Sequence, residues 1–201
     1  MRSFHTLTVL PSPQTANDIP TAYYKDKKCI DAVVIKVIDG DTYRVRHVNN
    51  RHKNPEFSGK LSDHTISVRL AAVDCPETSK MGKPGQEYSK EATDFVSGKI
   101  LNKKVKVNLQ AKDRYGRALA FVEYGTALAF VDDLSEQLLK NGLAVVYRQG
   151  GAQYGPGKID KWNKLEEQAI DKKKCIWKNG KVAADLPSNY KKKTKADFAV
   201  I

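Results

Sequence analysis

The chain has 201 residues, enough for one domain with tails and for a core that needs no disulfide staples. Its 29% charged and 40% hydrophobic residues exclude a disordered composition, and no run approaches the ~18 apolar residues of a membrane-spanning helix. The formal net charge of +12 points to a polyanionic partner such as nucleic acid, an anionic membrane face or a phosphorylated ligand. A solvated, lysine-rich surface is the plain alternative.

In chain order, residues 1–28 read as a flexible leader. Met1–Asn17 carries Arg2 and has no acid before Asp18, as in an organelle-targeting segment, the mitochondrion included. It lacks the sustained apolar stretch of a secretory signal, and Pro11 and Pro13 break any helix, so an ordinary disordered leader is the preferred reading. Cys29, Cys75 and Cys175 are odd in number and widely spaced, without a Cys-x-x-Cys pair. That argues against a disulfide framework or zinc and favours a reducing, intracellular compartment.

Ala32–Ile38 and Thr42–Val48 read as strands joined by an Asp39-Gly40 turn. Val48–His64 is polar and reads as a loop. Thr65–Val73 alternates as a third strand. Gln86–Leu101 changes to a helical period, with Tyr88, Ala92, Phe95 and Val96 on one face. Lys104–Leu109 and Ala118–Tyr124 are strands around an Asp113–Arg117 turn. Leu134–Lys140 is a short helix stopped by Asn141-Gly142, Ala144–Tyr147 a short extended piece, and Ile159–Lys173 a longer helix. The expected organisation is a domain at 29–178 and a basic flexible tail at 179–201. Short strands interleaved with helices predict an α+β fold, a small barrel packed on helices, with a five-stranded OB-type barrel one option among several.

Two acidic motifs sit at strand ends: Asp39-Gly40-Asp41-Thr42 and Asp74-Cys75-Pro76-Glu77. Two carboxylates, a backbone carbonyl and waters satisfy a hard cation such as calcium, and a further carboxylate can orient or deprotonate water. Singly, each has a simpler reading as a turn or a helix start. Arg69 and Arg117 offer the bidentate grip on phosphate that Lys lacks, and would neutralise a phosphorane-like transition state. For a lone Arg the simpler reading is a surface ion pair. His5, His47, His52 and His64 lack metal-ligand spacing, and Trp162 and Trp177 read as core. Cys75 beside Asp74 has no obvious His partner for a nucleophile role.

The order of these pieces resembles the staphylococcal-nuclease-type (thermonuclease) family from about Ala32 to Trp177. The matching runs are Val37–Thr42, Val68–Thr78, Gly85–Tyr88 with the following helix, Asp113–Ala120, Leu139–Ala144 and Ile176-Trp177. The nearest branch is the eukaryotic, organelle-associated endonucleases. The resemblance implies a five-stranded OB-type Greek-key barrel with three packed helices. It also implies calcium-dependent hydrolysis of DNA and RNA phosphodiesters, endonucleolytic and preferring single strands, by a monomer.

Position by position, it implies Asp41 and Asp74 as carboxylate ligands of Ca2+ and Cys75 as a backbone-carbonyl ligand, where the family often has Thr. Glu77 would orient or activate water, and Arg69 and Arg117 would hold the scissile phosphate. Arg114 and Tyr115 would meet the nucleotide's other phosphate, and Tyr147 its sugar or base. Three features depart from the family's minimal form: a longer 48–64 loop, a longer 125–133 segment and the Lys-rich tail. The membrane anchor of some eukaryotic relatives has no counterpart in the 201 residues. The rival reading is a non-catalytic nucleic-acid- or protein-binding module of the same fold; the complete set Asp41, Arg69, Asp74, Glu77 and Arg117 favours the enzyme.

The charge is uneven. Residues 172–195 hold nine Lys and one acid, whereas residues 1–171 hold 26 basic and 21 acidic side chains. The expected picture is a nearly balanced core with a separate cationic arm.

Overall fold

A computed structural model describes residues 13–48, 58–79, 82–125, 130–181 and 184–191. The helices are α1 (Thr21–Lys25), α2 (Ser89–Ile100), α3 (Leu134–Lys140) and α4 (Lys158–Asp171). The strands are β1 (Cys29–Asp39), β2 (Thr42–His47), β3 (Ile66–Leu70), β4 (Val73–Asp74), β5 (Lys104–Lys112), β6 (Ala118–Gly125), β7 (Phe130–Asp133) and β8 (Val145–Val146). Single 3-10 turns stand at Leu61–His64 and Cys175–Trp177, and residues 187–191 form a helical turn.

Five strands run β3-β2-β1-β5-β6, and a parallel pairing of β3 with β6 closes them into a barrel. The α+β OB-type barrel expected from the resemblance is therefore the fold. Strand alternation fills its interior: Ala32, Val34, Tyr43, Val45, Ile66, Val68, Val105, Val107, Leu109 and Ala120 are all at or near zero exposure. The β1–β2 register slips between Val34 and Lys36 and again between Val37 and Asp39, bulges that bend the long first strand. α2 lays Ala92, Val96 and Ile100 on the barrel. Trp162 of α4 is fully buried, edge-on to Phe121 at 5.7 Å, and Trp177 is buried too, so both tryptophans are core.

α3 starts where Asp133 accepts the Ser135 and Glu136 N–H groups at 2.8 and 3.3 Å. It ends at Gly142, whose positive φ of 67° closes the last turn as the Leu143 N–H reaches the Leu138 carbonyl at 3.0 Å. A Cβ at Gly142 would also lie 2.5 Å from the Lys174 carbonyl oxygen, so the position is closed to other residues.

The structure corrects several expectations. The leader reading holds too much of the chain: Ala16, Ile19 and Tyr24 are buried and α1 packs on β5, while residues 1–12 lie outside the described residues. The tail is not free throughout: Leu186 and Ala184 pack against Ala169, Ile176 and Trp177. Residues 182–183 and 192–201 lie outside the described residues, as does most of the 48–64 loop, at 49–57. The third strand stops at Leu70, because Ala72 takes a left-handed φ of 57° and redirects the chain into β4. α2 begins at Ser89, not Gln86, since Tyr88 also has a left-handed φ, 66°. β7, which pairs with β6, falls in the segment 125–133 that the sequence marks only as longer than the family's minimal form.

Candidate active site

The hairpin between β1 and β2 places Asp41 on the barrel rim. Gly40 is required there by space: a Cβ would lie 2.8 Å from both Cys75 Cβ and Sγ and 2.9 Å from Ala92 Cβ. The hairpin thus packs directly on the segment that follows β4. The Tyr43 hydroxyl, wholly buried, donates to the Gly40 carbonyl at 2.9 Å and pins the turn. The Asp41 N–H donates to Asp39 Oδ1 at 3.1 Å, and the Leu70 N–H donates to the Asp41 carbonyl at 2.8 Å.

Arg69, in β3, stands opposite Thr42 in the β2–β3 register. Its side chain points away from the barrel interior and forks between two carboxylates: Nη1 is 2.7 Å from Asp41 Oδ2 and Nη2 is 2.6 Å from Asp74 Oδ1. Nη1 also donates to the Val73 carbonyl at 3.1 Å. Asp41 Oδ2 accepts the Cys75 N–H at 2.9 Å, and its Oδ1 accepts the Thr42 hydroxyl at 3.1 Å. Asp41 and Asp74 are buried, at 5% and 2% exposure, so these charges persist only because they are paired.

Burial alone would raise the Asp41 carboxyl, but Arg69 and the Cys75 N–H outweigh it and hold it below the usual range. At Asp74 burial is the larger effect and pushes the carboxyl up, against Arg69 and Lys191. Burial and the neighbouring Asp41 charge raise Asp39 to about 7. Arg69 bridges Asp41 and Asp74, which therefore form the natural carboxylate pair.

Asp74 is positioned from behind. β4 pairs with β8, Asp74 opposite Val145 and Val73 opposite Val146. β8 is held by Glu166 of α4, whose Oε1 accepts the Val146 N–H at 2.7 Å and whose Oε2 meets Arg148 Nη2 at 2.6 Å. Glu166 is 4% exposed, on a helix face that the sequence assigns to apolar side chains. Glu77 leaves β4 three residues after Asp74 and is fixed by its backbone: its N–H donates to Gln86 Oε1 at 3.0 Å and its carbonyl accepts the Gln86 N–H at 2.9 Å.

Arg117 lies two residues before Leu119, which stands opposite Arg69 in the β3–β6 register, so both arginines lie on one barrel face. Asp113 holds Arg117: its Oδ2 accepts Nε at 2.7 Å, and its Oδ1 accepts the Tyr115 and Arg117 N–H groups, both at 2.9 Å. Arg114 lies over the Tyr115 ring at 4.8 Å and donates to its hydroxyl at 2.7 Å; Tyr115 is 69% exposed. Tyr147 follows β8, its N–H donating to the Ala72 carbonyl at 2.9 Å and its hydroxyl to Gln149 Oε1 at 3.4 Å.

The structure thus brings Asp41, Arg69, Asp74 and Glu77 to one rim and sets Arg117 on the adjoining face. Arg114 and Tyr115 form an exposed stack that Arg117 shares, its guanidinium 5.5 Å from the same ring, and Tyr147 is tied by its backbone to the Ala72 carbonyl. The Cys75 side chain is buried against Gly40, and burial raises its thiol well above the ordinary value, so the protonated thiol is core and the residue offers the site its backbone. Sequence reasoning missed Asp113 as the holder of Arg117, Gln86 as the clasp of Glu77, Glu166 behind Asp74, and Lys191. For Asp113 a signal was present, an acid opening a Gly-containing turn that ends in Arg.

Among the described residues no cluster of three or more His, Cys, Asp or Glu side chains is arranged for a metal. The candidate donor set is smaller: the Asp41 and Asp74 carboxylates and the Cys75 carbonyl, all hard oxygens of the kind calcium takes. A cation already sits against two of the acids: the Lys191 ammonium is 2.6 and 2.8 Å from the Asp74 oxygens and 3.1 Å from Glu77 Oε1. The rim therefore fits a bound positive ion. Among the described residues no helix is long and apolar enough to cross a membrane.

Comparison with known proteins agrees with this geometry. The chain is 40% identical over 178 residues to a protein named Endonuclease Htp3 from Saprolegnia parasitica, covering 88% of this chain and 82% of that protein. It is 34% identical to a probable endonuclease LCL3 of Komagataella phaffii, over 89% of this chain and 81% of that protein. It is 33% identical to a probable endonuclease LCL3 of Schizophyllum commune, over 83% of this chain but 61% of that protein. The family model described as staphylococcal nuclease homologue matches residues 67–179, a span running from β3 and Arg69 through α4 to the turn at Cys175–Trp177. With the barrel and its acidic rim, these matches place the chain in the staphylococcal nuclease homologue family.

Proposed function

We propose that the chain is a calcium-dependent endonuclease that hydrolyses the phosphodiester bonds of DNA and RNA and prefers single strands. The observation that carries this reading is the Arg69 fork between two buried carboxylates, with Glu77 three residues beyond the second. The endonuclease names of the relatives support it. Action as a monomer is part of the same reading.

A phosphodiester resists hydroxide because both are anionic. Asp41, Asp74 and the Cys75 carbonyl would hold calcium, which supplies Lewis acidity at a phosphate oxygen. Arg69 and Arg117 present guanidinium groups to the same phosphate, orienting it and neutralising charge as the phosphorus becomes five-coordinate. Glu77 accepts the proton of the attacking water, and the departing alkoxide takes a proton from solvent. Arg114 and Tyr115, exposed on their hairpin, meet a neighbouring phosphate, and Tyr147 the sugar or base. Because guanidinium and carboxylate groups share one ion-pair network, losses at Arg69, Asp41 and Asp74 will not add.

Digestion of single-stranded DNA, plasmid and RNA with calcium, with chelator and with Glu77→Gln tests the reading. Cleavage is expected with calcium and not with chelator, and Glu77→Gln is expected to lower turnover by about 10²–10⁴-fold with an unchanged melting temperature. Full activity in chelator would refute calcium, and near-normal activity of Glu77→Gln would refute its role. Binding without cleavage under every condition would identify a non-catalytic module.

A further inference from the structure

We propose that the C-terminal segment 184–191 is a built-in occupant of the active-site rim, holding the Lys191 ammonium where a divalent cation and the attacking water belong. The inference rests on the calcium reading above, and it adds a competitor carried by the chain itself.

The contact is specific. Lys191 Nζ reaches both oxygens of Asp74 and one of Glu77, whose side chains are 3% and 21% exposed. Asp74 is an expected ligand and Glu77 the expected base, so one lysine engages both halves of the proposed chemistry. The segment that delivers it is anchored along its length. Leu186 and Ala184 sit on the Ile176–Trp177 cluster. Gln86 Nε2, on the residue that clasps Glu77, donates to the Asp185 carbonyl at 2.9 Å and to its Oδ2 at 3.1 Å. The Tyr190 hydroxyl donates to the Pro84 carbonyl at 2.8 Å. A turn closed by the Asn189 and Tyr190 N–H groups on the Leu186 carbonyl, at 2.9 and 3.2 Å, aims Lys191 at the rim.

Charge makes the plug displaceable. Asp41, Asp74 and Glu77 present three negative charges to Arg69 and Lys191, which leaves the rim one positive charge short. A divalent cation in place of the ammonium closes that gap. A polyanionic strand would also draw off Lys191 and the lysines that follow it, Lys192, Lys193 and Lys195. At low calcium and without substrate the segment stays docked; with either, it leaves.

Calcium binding by calorimetry on the full-length chain tests this against Lys191→Gln and Leu186→Ser. The first removes the ammonium; the second loosens the anchor without touching a charge. If the open site is about one-tenth populated, both variants bind calcium about tenfold more tightly than the parent. Calcium is also expected to speed amide exchange across 184–191 in the parent. Tightening in Lys191→Gln with none in Leu186→Ser would mean a simple charge effect and would overturn the plug. Equal affinity in all three forms overturns the plug and leaves the calcium reading standing. No calcium binding in any form overturns both.

Discussion

The two arginines of the site are held by different residues, and Asp113 serves Arg117. Arg69 is locked by two buried carboxylates and the Val73 carbonyl, whereas Arg117, 29% exposed, is held chiefly by Asp113. Asp113 also closes the hairpin by accepting the Tyr115 and Arg117 N–H groups. Those contacts hold its carboxyl below the usual range although burial works the other way. Asp113→Asn keeps an oxygen for the turn and loses the ion pair, while Asp113→Ala loses both. The expected result is a fall in kcat/KM of about tenfold for Asn and about a hundredfold for Ala, since a misplaced group costs that order in rate. Steady-state kinetics beside thermal melts separates the two effects. The Asn variant should melt near the parent and still cleave slowly, because what it lacks is the aim of Arg117.

At the scale of elements, the β1–β2 hairpin, the segment after β4 and α2 meet at Gly40, where a single Cβ would overlap Cys75 and Ala92. Gly40→Ala is expected to cost about 1–3 kcal/mol by overpacking, read as a lower melting temperature. Cys75→Ala removes the sulfur, one of the three atoms the new methyl would strike, and leaves the Cys75 Cβ and Ala92 Cβ contacts in place. The double variant is therefore expected to lose somewhat less than the sum of the singles, and a loss greater than the sum would contradict relief at the sulfur. The same junction shows what the sequence makes legible. Asp-Gly between alternating strands announces the hairpin, and Asp74 to Glu77 announces a rim segment, because turn chemistry and strand period are local. Alternation also marks β3, β5 and β6 and, within a residue, where each begins, but it overruns the end of β3 at Leu70 and stops three residues short of the end of β5 at Lys112. Glu166 was illegible: a charged residue on an apolar helix face is buried only because β8 brings the Val146 N–H to it, and that pairing is long-range. α1 and β7 were missed for a similar reason. α1 has five residues and β7 four, and each is fixed by the strand it packs on or pairs with more than by its own pattern.

Across the whole molecule, charge and site are linked through the C-terminus. The core carries most of the acids, yet the net charge of +12 comes mainly from lysines beyond residue 171. Structure divides that arm. Its proximal part turns on Cys175–Trp177, and residues 184–191 dock on the rim, so removing the whole tail would disturb packing as well as charge. Lys192, Lys193 and Lys195 follow the docked segment and carry charge with no assigned place in the site. Each lysine that neutralises a phosphate releases condensed counterions, contributing about 0.7 to the slope of log K against log salt on single strands. Replacing all three by Ser should therefore reduce that slope by up to about 2 and weaken binding at low salt more than at high salt. The rate at saturating substrate should hold, because none of the three is among the proposed catalytic residues. Fluorescence-anisotropy titrations of a single-stranded oligonucleotide across a salt series, in chelator to prevent cleavage, measure the slope. An unchanged slope would place the polyanion-binding charge on the barrel face around Arg114 and Arg117, not on the arm.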